Sequence, residues 1–450
     1  MNKPVPPSSF EQRVARQLGP ETAAFTEAMK QPPTLAVRRN RRKPATLRFD
    51  EDVPWCPQAV YVQERPSFIL DPLWHAGAYY VQEPASLLLD HALRTFGQSP
   101  EPRRVLDLCA APGGKTTLLA DFLGDDALLV ANEVIRTRET VLRENVTRWG
   151  WPNILTSNHD PEDFAPLSAF FDLVVVDAPC SGEGLFRKEP EAVREWSERN
   201  AELCAARQQR ILDAAQPLVR PDGLLIYSTC TFNPAENDEV IRRACRDGWQ
   251  YLPLPCPPEW GVVPTEFGLQ CWPHRCRGEG FYLAVLRRDG RYGPMVERKR
   301  LPASAGGTMV TDDIRKLLGN PDPFPFHFHL DPSEKRFYAV PAAIAADTEI
   351  VRRALRRTAL GLPLAEIKGK DVVPSHALAL SVTVAPDLPT LVVDRETALE
   401  YLRKNPLTVA GDTPAGWLRV VYEGWGLGWV KNLPGRTNNY LPSEWRIRRL

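Results

Sequence analysis

The sequence predicts an α/β protein built around a parallel sheet with helices on both faces. Short apolar runs alternate with helical stretches from residue 103 onward, and several runs end in turns of small residues. That alternation is the pattern of βαβ units, whose strands are buried on both faces. No repeat with a 20–50-residue period competes with it.

The strand-like runs are 104–108, 128–131, 153–156, 173–176 and 224–227, each about five residues long. Helical segments at 116–122, 136–149 and 199–219 separate most of them, and the last is expected to stop at Pro221-Asp222-Gly223. A further strand at 281–286 closes this central domain, taken as 96–288. Before it, residues 1–95 form an α/β module that opens with one helix over 10–29, closed by Gln31-Pro32-Pro33. After it, 289–310 reads as a basic linker and 311–380 as a mixed α/β segment. The Gly- and Trp-punctuated runs of 385–450 suggest a small β-rich barrel.

At 450 residues the chain can bury ordinary cores without disulfide staples. Lys and Arg number 56, as do Asp and Glu, so the net charge is zero and histone-like global attraction to nucleic acid is excluded. Local patches remain: 38–43 holds five basic residues in six, and 287–300 and the tail from Lys431 to Arg449 are also basic. Runs of this kind are usually solvated, but aromatic residues follow the first, so a nucleic-acid surface stays in view there. Proline is about twice its usual share, 44 of 450, and is read as stiffening loops and joints. The chain has no apolar run of membrane length, no apolar core of a signal peptide at the N-terminus, and nine cysteines without an even framework. These features imply reduced thiols and a cytoplasmic protein with no membrane role. No obligate protein partner is implied.

The strongest local signal is Asp107-Leu108-Cys109-Ala110-Ala111-Pro112-Gly113-Gly114-Lys115-Thr116, a strand that turns through small residues into a helix. Such a turn lets a ligand approach the backbone. A phosphate-binding P-loop would need Gly where Cys109 stands, and a dinucleotide turn would need G-x-G-x-x-G, so both readings weaken. Glu133 follows the next strand, where a carboxylate can bond ribose hydroxyls or simply cap the following helix. Asp160 follows the third, placed for an adenine amino group or for a plain turn before Pro161. An adenosine ligand with no essential phosphate suits this set, and S-adenosylmethionine fits.

The fourth and fifth strands end in Asp177-Ala178-Pro179-Cys180-Ser181-Gly182-Glu183-Gly184 and Ser228-Thr229-Cys230-Thr231-Phe232. Cys180 and Cys230 therefore lie beyond the carboxyl ends of consecutive strands, where open α/β sheets bind ligands. Cys204 and Cys245 read as small buried apolar residues. Cys271, His274 and Cys276 lack a second ligand pair at zinc spacing, so no metal is expected. Carbon 5 of cytosine becomes nucleophilic when a thiolate adds at carbon 6, provided an acid steadies the ring and a base later removes the carbon 5 proton. One carboxylate and two thiols near a methyl donor match that need.

The segments DLCAAPGGKT (107–116), NEV (132–134), NHD (158–160), DAPCSGEG (177–184) and STCTFNPAEN (228–237) resemble the S-adenosylmethionine-dependent RNA 5-methylcytosine methyltransferases of the RsmB/Nop/NSUN family. The resemblance covers about 35–290. It implies a Rossmann-like methyltransferase domain with Cys230 as nucleophile and Cys180 assisting release; a nucleophile at Cys180 would be the DNA-type arrangement. It also implies that Cys109, Ala110, Ala111, Pro112, Gly113, Gly114, Lys115, Glu133, Asp160 and Asp177 hold S-adenosylmethionine. Asp177 is further implied to contact the target base, and Arg138 to contribute to cofactor binding. Pro54-Trp55-Cys56-Pro57 and DPLWHAGAYYVQEPAS (71–86) look like the N-terminal RNA-binding module of the bacterial RsmF-type (YebU-like) ribosomal RNA branch. GWGLGWVK (424–431) and NNYLPSEWR (438–446) look like its C-terminal PUA-like RNA-binding domain. The implied partner is 16S ribosomal RNA or the small ribosomal subunit. A non-catalytic RNA-binding or assembly factor on the same scaffold is the alternative; loss of Cys230 or of the glycine turn would have favoured it.

Overall fold

A computed structural model describes residues 5–46, 51–97, 103–246, 248–290, 326–331, 334–359, 361–369, 371–384 and 388–448. Most of the expected basic linker at 289–310, and the start of the segment after it, lie outside the described residues.

The N-terminal helix expected over 10–29 is two helices, Ser8–Leu18 and Thr22–Lys30, joined by a 3-10 turn at Gly19–Glu21. Gly19 takes φ 53° and Pro20 lacks the N–H that a continuous helix would need there. Phe10, Val14 and Phe25 point away from solvent into a cluster with Phe186, Trp196, Phe232 and Trp272, so the pair is docked on the central domain. Four strands follow, β1 (Ala36–Arg39), β2 (Glu51–Val53), β3 (Cys56–Tyr61) and β4 (Tyr79–Gln82), in an antiparallel sheet ordered β2-β3-β1-β4.

The position of β1 inside that sheet corrects the reading of 38–43 as a solvated run or RNA patch. Arg38 and Lys43 are each 1% exposed. Arg38 donates to Asp121 Oδ2 (2.6 Å) and Thr117 Oγ1 (2.5 Å) of the helix Gly114–Leu123, and its guanidinium lies over Trp149. Lys43 Nζ donates to the carbonyls of Ala76 and Arg148, both at 2.8 Å, and burial drives its pKa well below that of a free lysine. Arg41 bonds the Asp121 carbonyl and Arg42 pairs with Asp125. The run stitches the N-terminal sheet to the central domain.

The central sheet has nine strands. β5 (Arg104–Asp107), β6 (Leu128–Asn132), β7 (Ile154–Ser157), β8 (Phe171–Asp177) and β9 (Val219–Thr229) are mutually parallel, ordered β9-β8-β5-β6-β7. Three short strands, β10 (Trp249–Tyr251), β11 (Val263–Pro264) and β12 (Leu269–Cys271), precede β13 (Phe281–Arg288), which runs antiparallel to β9. The parallel sheet expected from the βαβ alternation is β5 to β9; apolar periodicity carries no strand direction, and the closing strand β13 joins that sheet antiparallel. The helix expected over 199–219 is Glu198–Ala215; it ends at Gln216-Pro217, and Pro221-Asp222-Gly223 lies inside β9 instead, with Asp222 at φ 60°. Two apolar clusters cover the faces, one with Leu118, Leu142 and Trp149, the other with Phe164, Ile211 and Ile241.

Beyond the undescribed stretch, β14 (Phe326–Asp331), β15 (Arg336–Pro341), β16 (Leu362–Lys368) and β17 (Asp371–Pro374) form an antiparallel meander. The segment between its halves pairs with the edge of the central sheet: Ser157 bridges Thr358, Asn158 N–H donates to the Arg357 carbonyl (3.2 Å) and Ala359 N–H to the Thr156 carbonyl (2.8 Å). A final sheet is ordered β18 (Thr390–Val392), β19 (Gly416–Tyr422), β20 (Trp425–Leu433), β21 (Arg436–Asn439). Among the described residues β18 and β21 do not pair, so the expected barrel is an open sheet with the helix Arg395–Leu402 against it. The short helix His376–Leu380 shares one core with Leu364 and Trp429, so packing runs continuously across the boundary expected near 380.

Candidate active site

Because β5 to β9 are parallel, the turns that follow them share one edge of the sheet. The chain leaves β5, continues outward to β6 and β7, and then returns to β8 on the other side of β5. Ligands of open α/β sheets bind at such a reversal. The turn 109–115, Glu133, Asp160, Asp177, Cys180 and Cys230 all follow the carboxyl ends of these strands.

The turn after β5 is pinned from both sides. Ala110 N–H donates to the Asn132 carbonyl (2.8 Å), while Arg138 and Asn145 donate to the carbonyls of Ala111 (2.9 Å) and Pro112 (2.8 Å). Gly113 takes φ 110°, a conformation that side chains strain, and a Cβ there would sit 3.2 Å from Leu142. Cys109 is half-buried, and burial with the nearby Asp107 carboxylate pushes its thiol well up in pKa.

Lys115 Nζ reaches Asp177 Oδ2 at 2.8 Å, spanning the gap between β5 and β8, and Ser228 Oγ donates to Asp177 Oδ1 at 2.7 Å. Burial alone would lower the Lys115 pKa; the Asp177 carboxylate outweighs it, and the net direction is up. Glu133 caps the next helix through Ile135 N–H (2.9 Å) and pairs with Arg138 (3.2 Å). Asp160 is a turn residue: it accepts from Glu162 N–H in a capping box and pairs with Arg210 at 3.0 Å.

Cys180 and Cys230 stand with their sulfurs 3.2 Å apart, both half-buried. The hydrogen bond to Cys230, followed by burial, pushes the Cys180 thiol well up, so Cys180 keeps its proton. Two carboxylates that the sequence reading passed over hold the two thiol loops together. Glu236 accepts from Ser181 N–H (2.8 Å), Ser181 Oγ (2.5 Å) and Gln208 (3.0 Å), and Ser181 Oγ also meets Thr231 Oγ1 at 3.0 Å. Glu183 accepts from Phe232 N–H (3.1 Å), Trp196 Nε1 (2.9 Å) and Arg13 of the first helix. Gly184 lies so close to the other loop that a Cβ would fall 2.4 Å from the Gly280 carbonyl and 2.8 Å from that of Cys230. Both acids fall inside segments already conspicuous for their cysteines; a buried acid within six residues of each thiol was the available signal.

Asp107 was also passed over. It is fully buried at the end of β5, with Oδ2 accepting from Thr116 (2.7 Å) and Oδ1 without a partner among the described residues. Burial raises its pKa to about 7 despite the Thr116 bond. An orphaned buried oxygen beside a left-handed glycine turn, with acids at the ends of the next two strands, fits an adenosine-bearing methyl donor. Cys204 is buried in the helix Glu198–Ala215 and Cys245 is half-buried, as small apolar residues would be. Cys271 and Cys276 are buried, and His274 turns to Glu21 at 2.9 Å. Among the described residues no helix is long and apolar enough to cross a membrane.

Three family models match the chain: 16S rRNA methyltransferase RsmB/F over 97–287, the N-terminal domain of 16S rRNA methyltransferase RsmF over 7–84, and the methyltransferase RsmF PUA domain over 389–447. Ribosomal RNA small subunit methyltransferase F of Shewanella loihica is 31% identical, over 88% of this chain and 83% of its own. The protein of that name from an Enterobacter species is 30% identical, over 87% and 83%. A solved methyltransferase homologue from Pyrococcus horikoshii, 27% identical, superposes with a TM-score of 0.52 over 60% of this chain and 91% of its own. Agreement in the core and at both flanks, with identity maintained over most of the length, places the chain in the RsmB/F family of 16S ribosomal RNA methyltransferases.

Proposed function

We propose that the chain methylates carbon 5 of a cytosine in 16S ribosomal RNA, using S-adenosylmethionine, through a covalent bond between Cys230 and carbon 6 of the base. The observation that carries this is the pair of thiols 3.2 Å apart beside the Lys115–Asp177 pair. S-adenosylmethionine supplies the methyl group. The turn 109–115, with Glu133, Asp160 and Asp177, would hold it, and Arg138 would brace the turn from behind.

Cys230 is the attacking group. Its thiol proton passes to solvent, the thiolate adds to carbon 6, and the electron pair of the 5,6 double bond makes carbon 5 nucleophilic. Asp177, held by Lys115 and Ser228, would accept from the amino group of the base, and the Lys115 cation beside it would offset the charge gathering on the ring nitrogen. Once carbon 5 carries the methyl group, its proton must leave and the carbon 6–sulfur bond must break. Cys180 is placed to take that proton. While Cys230 is free, its hydrogen bond and charge help to keep Cys180 protonated. When the Cys230 sulfur becomes a neutral thioether, both influences vanish, so Cys180 can release its own proton to solvent and, as a thiolate, accept the carbon 5 proton while the carbon 6–sulfur bond breaks and Cys230 leaves as a thiolate. A cytosine in a loop or weak junction leaves its stack most cheaply to reach this pair.

The C-terminal sheet, with Lys431, Arg436, Arg446 and Arg448, supplies RNA contacts, and the protein works in the cytoplasm where the ribosomal subunit is. The test separates the thiols on a denaturing gel. With S-adenosylmethionine supplied, Cys180→Ala should accumulate a protein–RNA adduct and Cys230→Ala should form none. The reverse pattern would make Cys180 the attacking thiol and overturn this division of roles.

A further inference from the structure

A cavity of about 670 Å³ lies between the outer face of the helix Arg136–Trp149 and the β14–β17 sheet, away from the thiols. Its size is within the range of real ligand sites, roughly 300–1,000 Å³. Five arginines line it (136, 143, 336, 356 and 357) against three carboxylates, Glu139, Asp331 and Glu334. Arg143 stands 3.8 Å from Glu139, and Arg336 pairs with Glu334 at 3.0 Å. Arg136, Arg356 and Arg357 are exposed and have no ion pair among the described residues. A concave wall carrying unanswered positive charge concentrates polyanions.

We infer that this groove is a second seat for the substrate RNA, gripping the backbone of a single-stranded segment through Arg136, Arg356 and Arg357. The inference rests on the RNA reading above. Its position argues for a nucleic-acid strand over a small anion. The groove reaches Asn158, whose side chain donates to the carbonyls of Glu133 (2.7 Å) and Val134 (2.9 Å), so it opens beside the cofactor rim. One wall is the methyltransferase domain and the other is the segment bridged to β7 at Ser157–Thr358. A strand lying there would approach the rim in a fixed direction, with threonine hydroxyls and the side-chain oxygen of Asn158 available for 2′-hydroxyls.

The test uses the full chain and a short fluorescent single-stranded RNA of mixed sequence, titrated across salt. The triple variant Arg136→Gln, Arg356→Gln, Arg357→Gln should bind about tenfold more weakly near physiological salt. Its slope of log affinity against log salt should be shallower by about 2, roughly 0.7 for each phosphate left without its arginine. Arg353→Gln, which removes an arginine paired with Glu349, should match the parent. Hydrogen exchange on the parent gives a readout free of any folding defect: RNA should protect 355–359 and the helix Arg136–Trp149. If the parent binds RNA but the triple variant keeps its affinity and slope, or no protection appears, the groove is not the seat. If the parent fails to bind RNA at all, the proposed function falls along with it.

Discussion

The turn at 109–115 and the basic run at 38–43 are neighbours in space, yet they yield to sequence reading in opposite ways. In the turn, the backbone is the working part: a left-handed glycine, carbonyls pinned by Arg138 and Asn145, and side chains too small to obstruct. Its meaning lies in seven consecutive residues. In the run, the side chains are the working part, and their partners lie elsewhere in the chain. Arg38 reaches the very helix that the turn begins, bonding the Gly114 carbonyl (3.3 Å) as well as Thr117 and Asp121. A local backbone motif can be read locally, whereas the fate of a charge depends on residues far away in sequence.

The largest expected effect tests the buried half of this contrast. Arg38→Ala leaves the Asp121 carboxylate with only Trp149 as a hydrogen-bond partner among the described residues, and breaking a buried pair costs about 3–5 kcal/mol. Denaturant unfolding should show that loss, while the salt dependence of RNA binding by the folded fraction stays as in the parent. A flattened slope would return the run to the RNA surface.

Gly113→Val comes next. A branched side chain at φ 110° both strains the turn and intrudes on the ligand side, so S-adenosylmethionine affinity should fall about 100-fold, close to 3 kcal/mol. Calorimetry with equal affinities for parent and variant would show that the turn does not hold the cofactor.

Asp107 gives a smaller, pH-dependent effect. Its folded pKa of about 7 exceeds its ordinary value of 3.8, so the folded chain holds a proton that the unfolded chain releases between those limits. Stability therefore falls as pH rises from about 4 to about 7 and is level above that. Asp107→Asn removes the ionisation and should gain stability over the parent as pH rises from about 4 to about 7, with no gain near pH 4. Equal differences at both pH values would mean that the carboxyl is already ionised at low pH.

Arg42→Ala should matter least. Its pair with Asp125 is half exposed, so about 0–1 kcal/mol is expected, and less at high salt. A loss as large as that of Arg38 would erase the distinction between the buried and exposed members of the run.

Much of the site was legible because strand-end turns are short and chemically distinctive. Cys180, Cys230, Asp177 and Lys115 could each be placed on one rim from the alternation of strands and helices alone. Glu183 and Glu236 were overlooked because their importance comes from binding across two loops, Ser181 from one and Phe232 from the other. The direction of β13 was hidden since apolar runs look the same in either sense. The helix break at Gly19-Pro20 was written in the sequence and still passed over, because the apolar pattern of Phe10, Val14 and Phe25 continues across it.

The Arg38–Asp121 pair also bears on how the chain emerges from the ribosome. The two residues are 83 positions apart. At roughly 5–20 residues per second, Arg38 waits about 4–17 s before its counter-ion has even been synthesised. Through that interval β1 carries a cation with nowhere dry to go, and Lys43 lacks the carbonyl of Arg148 for longer still. The nascent N-terminal sheet therefore cannot seat Arg38 until the helix Gly114–Leu123 is out, nor Lys43 until the helix Arg136–Trp149 follows.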